Sequence, residues 1–422
     1  MGCDRTGRWG RIDGVSDVLR GSLRGFGTSI FSTITQQAVQ VGAINLAQGF
    51  PDFDPPDELV RAATEALHAG LHQYAPSAGD PVLRQAVADH QRERYGLVCD
   101  PDTEVTVTAG ATEAIAATLQ ALLEPGDEVV LVEPFYDLYP FAVVAAGGVP
   151  CYLTTSFPDF RLDLDRLAEL VTDRTRVIVV NTPTNPTGRL LGPEEIRALG
   201  ELAERHDTYL LSDETYEHVV FDGLAHRPVA ADPACADRTV TVSSVSKTFS
   251  ATGWRIGWAV APPALSAAVR SVHRFVTFTA SAPLQRAAGV MLAAAGRSGY
   301  YDQLVADYTE RRDVLLKDLQ ATDLEVSRPE GTYFAMTRCD GDDVAYVQEL
   351  IAAKGVAAIP ASVFFSDPAR GRGLVRFAFC KRVETLRAAG ERLVSARARS
   401  ASGSDGGRSA GLPVELSTEW TS

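Results

Sequence analysis

Between residues 104 and 243 the chain alternates short β-branched runs with stretches of helical apolar spacing, and this pattern constrains the fold more than any other feature. The strand-like runs are 104–108, 128–132, 176–180, 209–212 and 239–243; helical patterns such as 111–123 and 193–206 lie between them. Strands covered on both faces read as near-continuous apolar runs, and repeated strand–helix alternation predicts a mainly parallel sheet with helices on both faces, an α/β fold. Such a sheet takes its ligands at the carboxyl edge of its strands. The residues just after each run are therefore the first candidates for chemistry.

After about Pro283 the pattern changes to a long amphipathic helix (301–320), strands at 324–327 and 333–337, a helix near 343–354 and a strand at 374–379. That succession predicts a smaller α+β domain. A chain of 422 residues exceeds one small core. The expected division is an arm over 28–55, a large domain over 56–290 and a small C-terminal domain over 291–399. Residues 1–27 and 400–422 are small, polar and aperiodic, the composition of poorly ordered extensions.

The segment with most chemistry is Ser243-Ser-Val-Ser-Lys-Thr-Phe-Ser-Ala-Thr-Gly-Trp-Arg255. A β-branched strand runs into hydroxyls, one lysine and an arginine eight residues later. Ser244, Lys247 and Arg255 can share one pocket at the sheet edge, and two cations with a hydroxyl suit a phosphate. A lysine there loses its plain ammonium character, because desolvation and a neighbouring cation both lower its pKa. It becomes a natural Schiff-base nucleophile. An isolated Ser-x-x-Lys, by contrast, is more often a surface lysine in a serine-rich loop.

Other strand ends carry weaker signals. Asp213 follows the run 209–212, with Tyr216 three residues on. A carboxylate buried there needs a cationic or donor partner, which a protonated ring nitrogen supplies; alone it is more often a turn cap. Asn181-Thr-Pro-Thr-Asn-Pro-Thr-Gly188 holds Asn185 in a turn stiffened by two prolines, either for a ligand or as structure only. Thr106-Val-Thr-Ala-Gly-Ala-Thr-Glu-Ala114 is strand, glycine turn and helix start, and backbone N–H groups near Ala111 and Thr112 make a phosphate cradle. Phe135 and Tyr136 end another strand and offer a ring to stack on a flat ligand or to pack in the core. Arg376 is a charge in the otherwise apolar Leu374-Val-Arg-Phe-Ala-Phe379 and must find a partner, a ligand carboxylate being one candidate.

These segments, in this order, resemble fold-type I pyridoxal-phosphate (PLP) enzymes of the class I/II aminotransferases, nearest to the kynurenine aminotransferase/glutamine transaminase K/methionine aminotransferase group. The resemblance covers about Arg24 to Leu393. It rests on Asn45-Leu-Ala-Gln-Gly-Phe-Pro-Asp-Phe53, His72-Gln-Tyr-Ala-Pro76, Glu133-Pro-Phe-Tyr-Asp137, Ser246-Lys-Thr-Phe-Ser-Ala-Thr-Gly-Trp254 and Ile359-Pro-Ala-Ser-Val-Phe-Phe365. It implies that Lys247 holds PLP covalently and shuttles the substrate α-proton. Asp213 then meets the ring nitrogen, Tyr216 and Asn185 the ring hydroxyl, and Tyr136 the ring face. Ala111, Thr112, Ser244 and Arg255 take the phosphate, with Tyr74 reaching in from the other subunit of a homodimer. Arg376 and the backbone near Gly49 take the substrate α-carboxylate, beside Asn185.

The resemblance places Phe31 and Phe278 against the substrate side chain. Thr279 stands where some members carry histidine, and Thr112 where others carry an aromatic. It implies an amino donor with an apolar, aromatic, amide or kynurenine-like side chain and a 2-oxo acid acceptor. No second arginine is placed for a side-chain carboxylate. Cysteine S-conjugate β-elimination on the same scaffold is the nearest alternative, since Lys247 and Asp213 serve both reactions alike. A non-catalytic regulator would add a DNA-binding helix-turn-helix, for which the N-terminal segment has no room.

Bulk properties argue against two classes of partner. Forty Lys and Arg against 54 Asp and Glu give a formal charge of −14, the wrong field for nucleic acid or an anionic membrane. No apolar stretch approaches the ~20 residues of a membrane-spanning helix. The N-terminus lacks the apolar core of an export signal. The six cysteines show no metal-knuckle or redox-pair spacing and read as reduced thiols, so the expected compartment is the cytoplasm and no metal is expected.

Overall fold

A computed structural model describes residues 20–26 and 30–395. The extensions expected over 1–27 and 400–422 lie outside the described residues, apart from 20–26. That short segment is docked: Arg20 donates to the carbonyls of Val144 and Ala145 at 3.0 and 2.7 Å, and Phe26 meets Phe141 edge-on at 5.5 Å.

In chain order the strands are β1 (Ile44–Asn45), β2 (Val105–Thr108), β3 (Glu128–Glu133), β4 (Val149–Thr154), β5 (Thr175–Asn181), β6 (Tyr209–Asp213) and β7 (Thr239–Ser244). They continue with β8 (Gly257–Val260), β9 (Glu325–Val326), β10 (Phe334–Arg338), β11 (Val356–Ala357), β12 (Ile359–Pro360) and β13 (Leu374–Ala378). Seven of them form one sheet, ordered β2-β8-β7-β6-β5-β3-β4. All neighbours are parallel except the two pairs made by β8, so β8 alone runs against the rest. Every residue of β7 is buried, the state of a strand covered on both faces.

The five expected strands of this sheet are present, and β4 and β8 join them. β4 carries Pro150, which suits its place at the sheet edge, where no neighbour needs that N–H. β8 is only four residues long and begins at Gly257, where a Cβ would stand 2.6 Å from the Ala111 nitrogen. Glycine there lets the strand approach the helix Ala111–Leu122.

A four-stranded antiparallel sheet, β12-β13-β10-β9, lies under the helix Tyr300–Gln320. The expected helix near 343–354 is α-helical over Asp343–Glu349 and continues as a π-helix over Leu350–Lys354. Parallel pairing of β1 with β11 binds the arm to this C-terminal part, and one core joins Ile34, Ala38, Leu46 and Ala47 to residues such as Leu316, Phe365 and Phe377. The helix Ala282–Ser298 runs through residue 290 without a break and packs on the helices Asp57–His68 and Pro81–Tyr95.

Candidate active site

The carboxyl ends of β5, β6 and β7 bring three chain segments to one edge. At the end of β7, Ser244 caps the four-residue helix Val245–Thr248, its Oγ accepting from the Ser246 N–H at 3.3 Å. Lys247 lies on that helix and points into a cavity, where its Nζ donates to Tyr333 Oη at 2.8 Å and stands 3.5 Å from the Gly49 carbonyl. Burial lowers its pKa from 10.5 to about 8. At the end of β6, the Asp213 carboxylate accepts from Tyr139 Oη at 2.8 Å and from the Thr215 N–H at 3.2 Å. Burial pushes this carboxyl upward, because few charges offset the lost water. Tyr216, also buried, presents its ring 5.6 Å from Lys247 Nζ.

A second group of residues forms an anion cradle. The helix Ala111–Leu122 begins with Ala111 and Thr112, both lining the cavity, and its first-turn N–H groups carry the positive end of the helix dipole. Arg255, with φ 53°, lies across that helix start: Nη2 donates to Thr112 Oγ1 at 3.3 Å. Gly110 has φ 82°, and a Cβ there would stand 2.4 Å from Arg255 Nη2. Glu113 fixes the same turn by accepting from the Ala109 N–H and meeting His273 Nδ1 at 2.6 Å, while His273 Nε2 lies 2.9 Å from the Ser77 carbonyl.

The third group faces the other end of the cavity. Arg376, in the middle of β13, donates to Asn185 Oδ1 at 2.9 Å and to the Ala47 carbonyl at 3.0 Å. Its guanidinium lies 4.0 Å from the centre of the Phe334 ring and 4.9 Å from that of Phe364. Burial lowers its pKa to about 10, which leaves it a cation at neutral pH. Asn185 is itself held: Asn181 Oδ1 accepts from the Asn185 N–H at 2.6 Å, and Asn181 Nδ2 donates to the Asp213 carbonyl at 2.7 Å.

One cavity of about 360 Å³ takes in Gly49, Ala111, Thr112, Tyr136, Asn185, Asp213, Tyr216, Ser244, Lys247, Arg255 and Arg376. Phe135 is buried in the core instead. Tyr74 and Phe278 do not line the cavity; they meet each other edge-on at 5.1 Å and are 81% and 43% exposed. The side chain of Phe31 lies outside the described residues. Sequence reasoning did not single out Tyr333, which holds both Lys247 and the Gly49 carbonyl, nor Tyr139, which holds Asp213. Both are ordinary tyrosines in apolar surroundings, and the polar partner that identifies them comes from more than 70 residues away. Asp137, Phe50 and Phe334 also line the cavity.

PLP presents an aldehyde, a pyridine nitrogen, a ring hydroxyl and a phosphate. The donor set suits all four: a lysine amine freed of part of its basicity, a buried carboxylate, tyrosine and asparagine polar groups, and a helix start crossed by an arginine. The glycine at 110, which a Cβ would force into that arginine, fits the same purpose.

The family model for aminotransferase class I and II matches residues 41–393. The chain is 42% identical over 387 residues to a protein described as a probable N-succinyldiaminopimelate aminotransferase of Mycobacterium tuberculosis, covering 88% of this chain and 96% of that one. It is 34% identical over 387 residues to kynurenine–oxoglutarate transaminase 1 of Homo sapiens, covering 83% and 91%. A solved Escherichia coli structure assigned a methionine aminotransferase function superposes with a TM-score of 0.86 at 40% identity, covering 89% of this chain and 99% of that one. No helix among the described residues is long and apolar enough to cross a membrane. Fold, family model and relatives agree: the chain belongs to the class I and II aminotransferases, PLP-dependent enzymes of fold type I that transfer amino groups.

Proposed function

We propose that Lys247 is the lysine that binds PLP and moves the substrate α-proton, and that the donor is an L-amino acid with an apolar, aromatic, amide or kynurenine-like side chain. The observation that carries this reading is one half-buried amine, Lys247 Nζ, sharing a cavity with Asp213, Arg255 and Arg376. When bound, PLP supplies an aldehyde that condenses with amines and a ring that spreads negative charge from the substrate α-carbon.

The chain's own groups do the rest. Asp213 would hold the ring nitrogen, and Tyr216 and Asn185 the ring hydroxyl. Ser244, Arg255 and the N–H groups of Ala111 and Thr112 would take the phosphate, and Tyr136 would cover the ring. Arg376, already braced by Asn185 and Ala47, offers its fork to the substrate α-carboxylate beside Gly49. A Lys247 pKa of about 8 leaves part of the amine neutral near physiological pH, so Nζ can accept the α-proton and return it. Tyr333 holds that amine in place by accepting its hydrogen bond.

The cations lining the cavity among the described residues are Lys247, Arg255 and Arg376, and each has a task in this scheme. Asp137, on the same wall, adds no further cation for an acidic substrate side chain. In a panel of amino donors with 2-oxo acids, read by product chromatography, an apolar or amide donor turns over faster than aspartate. Aspartate as the best donor overturns this assignment.

We further infer a homodimer with shared sites. Tyr74 and Phe278 stand exposed beside Phe275 and Val276, an apolar patch that a partner subunit would cover. Tyr74 then reaches the partner's phosphate cradle, and Phe278 its substrate pocket. The free thiols among the described residues support a reducing compartment, the cytoplasm. The domain division is proposed as an arm over 28–55, a large domain over 56–290 and a small domain over 291–399.

A further inference from the structure

We propose that Thr248, gripped by His218, is a positioning residue for Lys247, and that the buried network behind it sets where the lysine amine sits in the cavity. The inference rests on the reading of Lys247 given above.

A helix of four residues has no stability of its own, so the position of Val245–Thr248 comes from outside contacts. The Val245 N–H donates to the Ile256 carbonyl at 3.2 Å, which fixes the start. The end is fixed at Thr248, the residue next to Lys247. Its carbonyl accepts from Tyr300 Oη at 2.8 Å, and its Oγ1 lies 3.0 Å from His218 Nδ1. Thr248 is thus held at both its backbone and its hydroxyl, and both holds are buried or partly buried.

His218 is in turn immobilised on every side. Its ring stacks on Tyr301 with centres 4.1 Å apart and planes 7° from parallel. Its Nε2 lies 2.8 Å from His90 Nε2, so one ring donates and the other accepts. Glu217 closes the group: one carboxylate oxygen accepts from Tyr95 Oη at 2.7 Å, the other from Ser243 Oγ. These donor and acceptor atoms also lie close enough to hold a metal ion, but the protein's own hydrogen bonds already occupy them.

The network joins the two segments that face the cofactor. Tyr216 lines the cavity, and the next two residues, Glu217 and His218, belong to the network; Lys247 lines the cavity, and the next residue, Thr248, belongs to the network. A shift at His218 therefore moves Lys247 against Tyr216. Buried polar networks that are fully satisfied specify one arrangement, and this one spans the helix Pro81–Tyr95, the segment after β6, the end of β7 and the helix Tyr300–Gln320.

The test uses the PLP-loaded enzyme and four variants, with Lys247→Ala as the control. Thr248→Val keeps the shape and removes the hydroxyl; Thr248→Ser restores it. An asparagine side chain places its amide where His218 has Nδ1, and a glutamine places it where His218 has Nε2. Misplacement of a reacting group by about 1 Å costs on the order of 100-fold, so Thr248→Val should lower kcat by about 10- to 100-fold. KM for the amino donor stays within about threefold, since Arg376 is untouched, and the pH midpoint of the visible cofactor band shifts. Thr248→Ser recovers most of the loss. Of the other pair, His218→Asn recovers more kcat than His218→Gln.

A Thr248→Val enzyme with wild-type kcat and an unmoved midpoint overturns the proposal. Should that variant fail to fold, the histidine pair decides, and equal losses in Asn and Gln overturn it. If the wild-type band survives Lys247→Ala, the reading of Lys247 itself is wrong and the inference falls with it.

Discussion

The two ends of the cavity are built by different means. The end proposed for the cofactor is assembled at the carboxyl ends of strands of one sheet: Asp213 closes β6, Ser244 closes β7 with Lys247 three residues on, and the helix start at Ala111 follows β2. The substrate end draws on the arm at Gly49, the turn at Asn185 and Arg376 in the other sheet. The first is fixed by one mainly parallel sheet and, on the reading proposed above, carries the cofactor chemistry. The second is fixed only where separate parts of the chain meet, so it can vary in specificity while the cofactor end stays put.

The largest expected effect tests the cofactor end. Lys247→Ala should lower kcat on the order of 10⁴-fold or more, the scale of losing a group that acts as both nucleophile and base. Steady-state turnover checks it, and KM for the donor is the control that the substrate end survives. Next comes the substrate end itself. Arg376→Ala should lower kcat/KM for the amino donor by roughly 30-fold or more, since removing one partner of a buried charge pair costs about 2–5 kcal/mol. Arg376→Lys should recover only part of this, because an ammonium cannot grip a carboxylate with a planar fork. Near-normal PLP affinity in both variants would sharpen the division, and loss of PLP binding would break it.

A smaller effect follows from burying an amine. Lys247 titrates near 8 in the folded protein against 10.5 as an ordinary lysine. Between those values the unfolded chain binds the extra proton and the folded one does not, so stability rises with pH across that window. Below pH 8 the burial cost is felt in full. The gain amounts to up to about 3 kcal/mol for the cofactor-free enzyme, read by denaturant melts at several pH values. Lys247→Met should flatten the slope.

The smallest effect is at the cradle. Gly110→Ala places a side chain at φ 82° and against Arg255. It should weaken PLP binding roughly tenfold, from about 1–2 kcal/mol of backbone strain and a displaced guanidinium. Fluorescence titration with PLP measures it.

The same contrast explains what the sequence made legible. Asp213, Ser244, Lys247 and Arg255 could be read because strand-end chemistry is local: a β-branched run ends and a polar group follows. Arg376 stood out as a charge inside an apolar strand. Tyr333 and Tyr139 did not, because a tyrosine in an apolar run reads as packing until its partner arrives from another segment. β8 escaped notice because a strand of four residues that begins on a glycine carries too little periodicity. The His90–Glu217–His218 group was equally invisible, because His90 lies more than 120 residues before the other two and meets them only when the helix Pro81–Tyr95 docks. Tyr74 and Phe278 were placed by family resemblance alone, and within this chain they stand outside the cavity.

The central claim is that the Lys247 amine carries PLP. Borohydride reduction of the PLP-loaded enzyme, followed by proteolysis and mass spectrometry, reads this directly. The expected result is a phosphopyridoxyl adduct on the peptide containing Lys247 and on no other lysine in stoichiometric yield. A stoichiometric adduct on a different lysine, or none at all in an enzyme that still transfers amino groups, would contradict it.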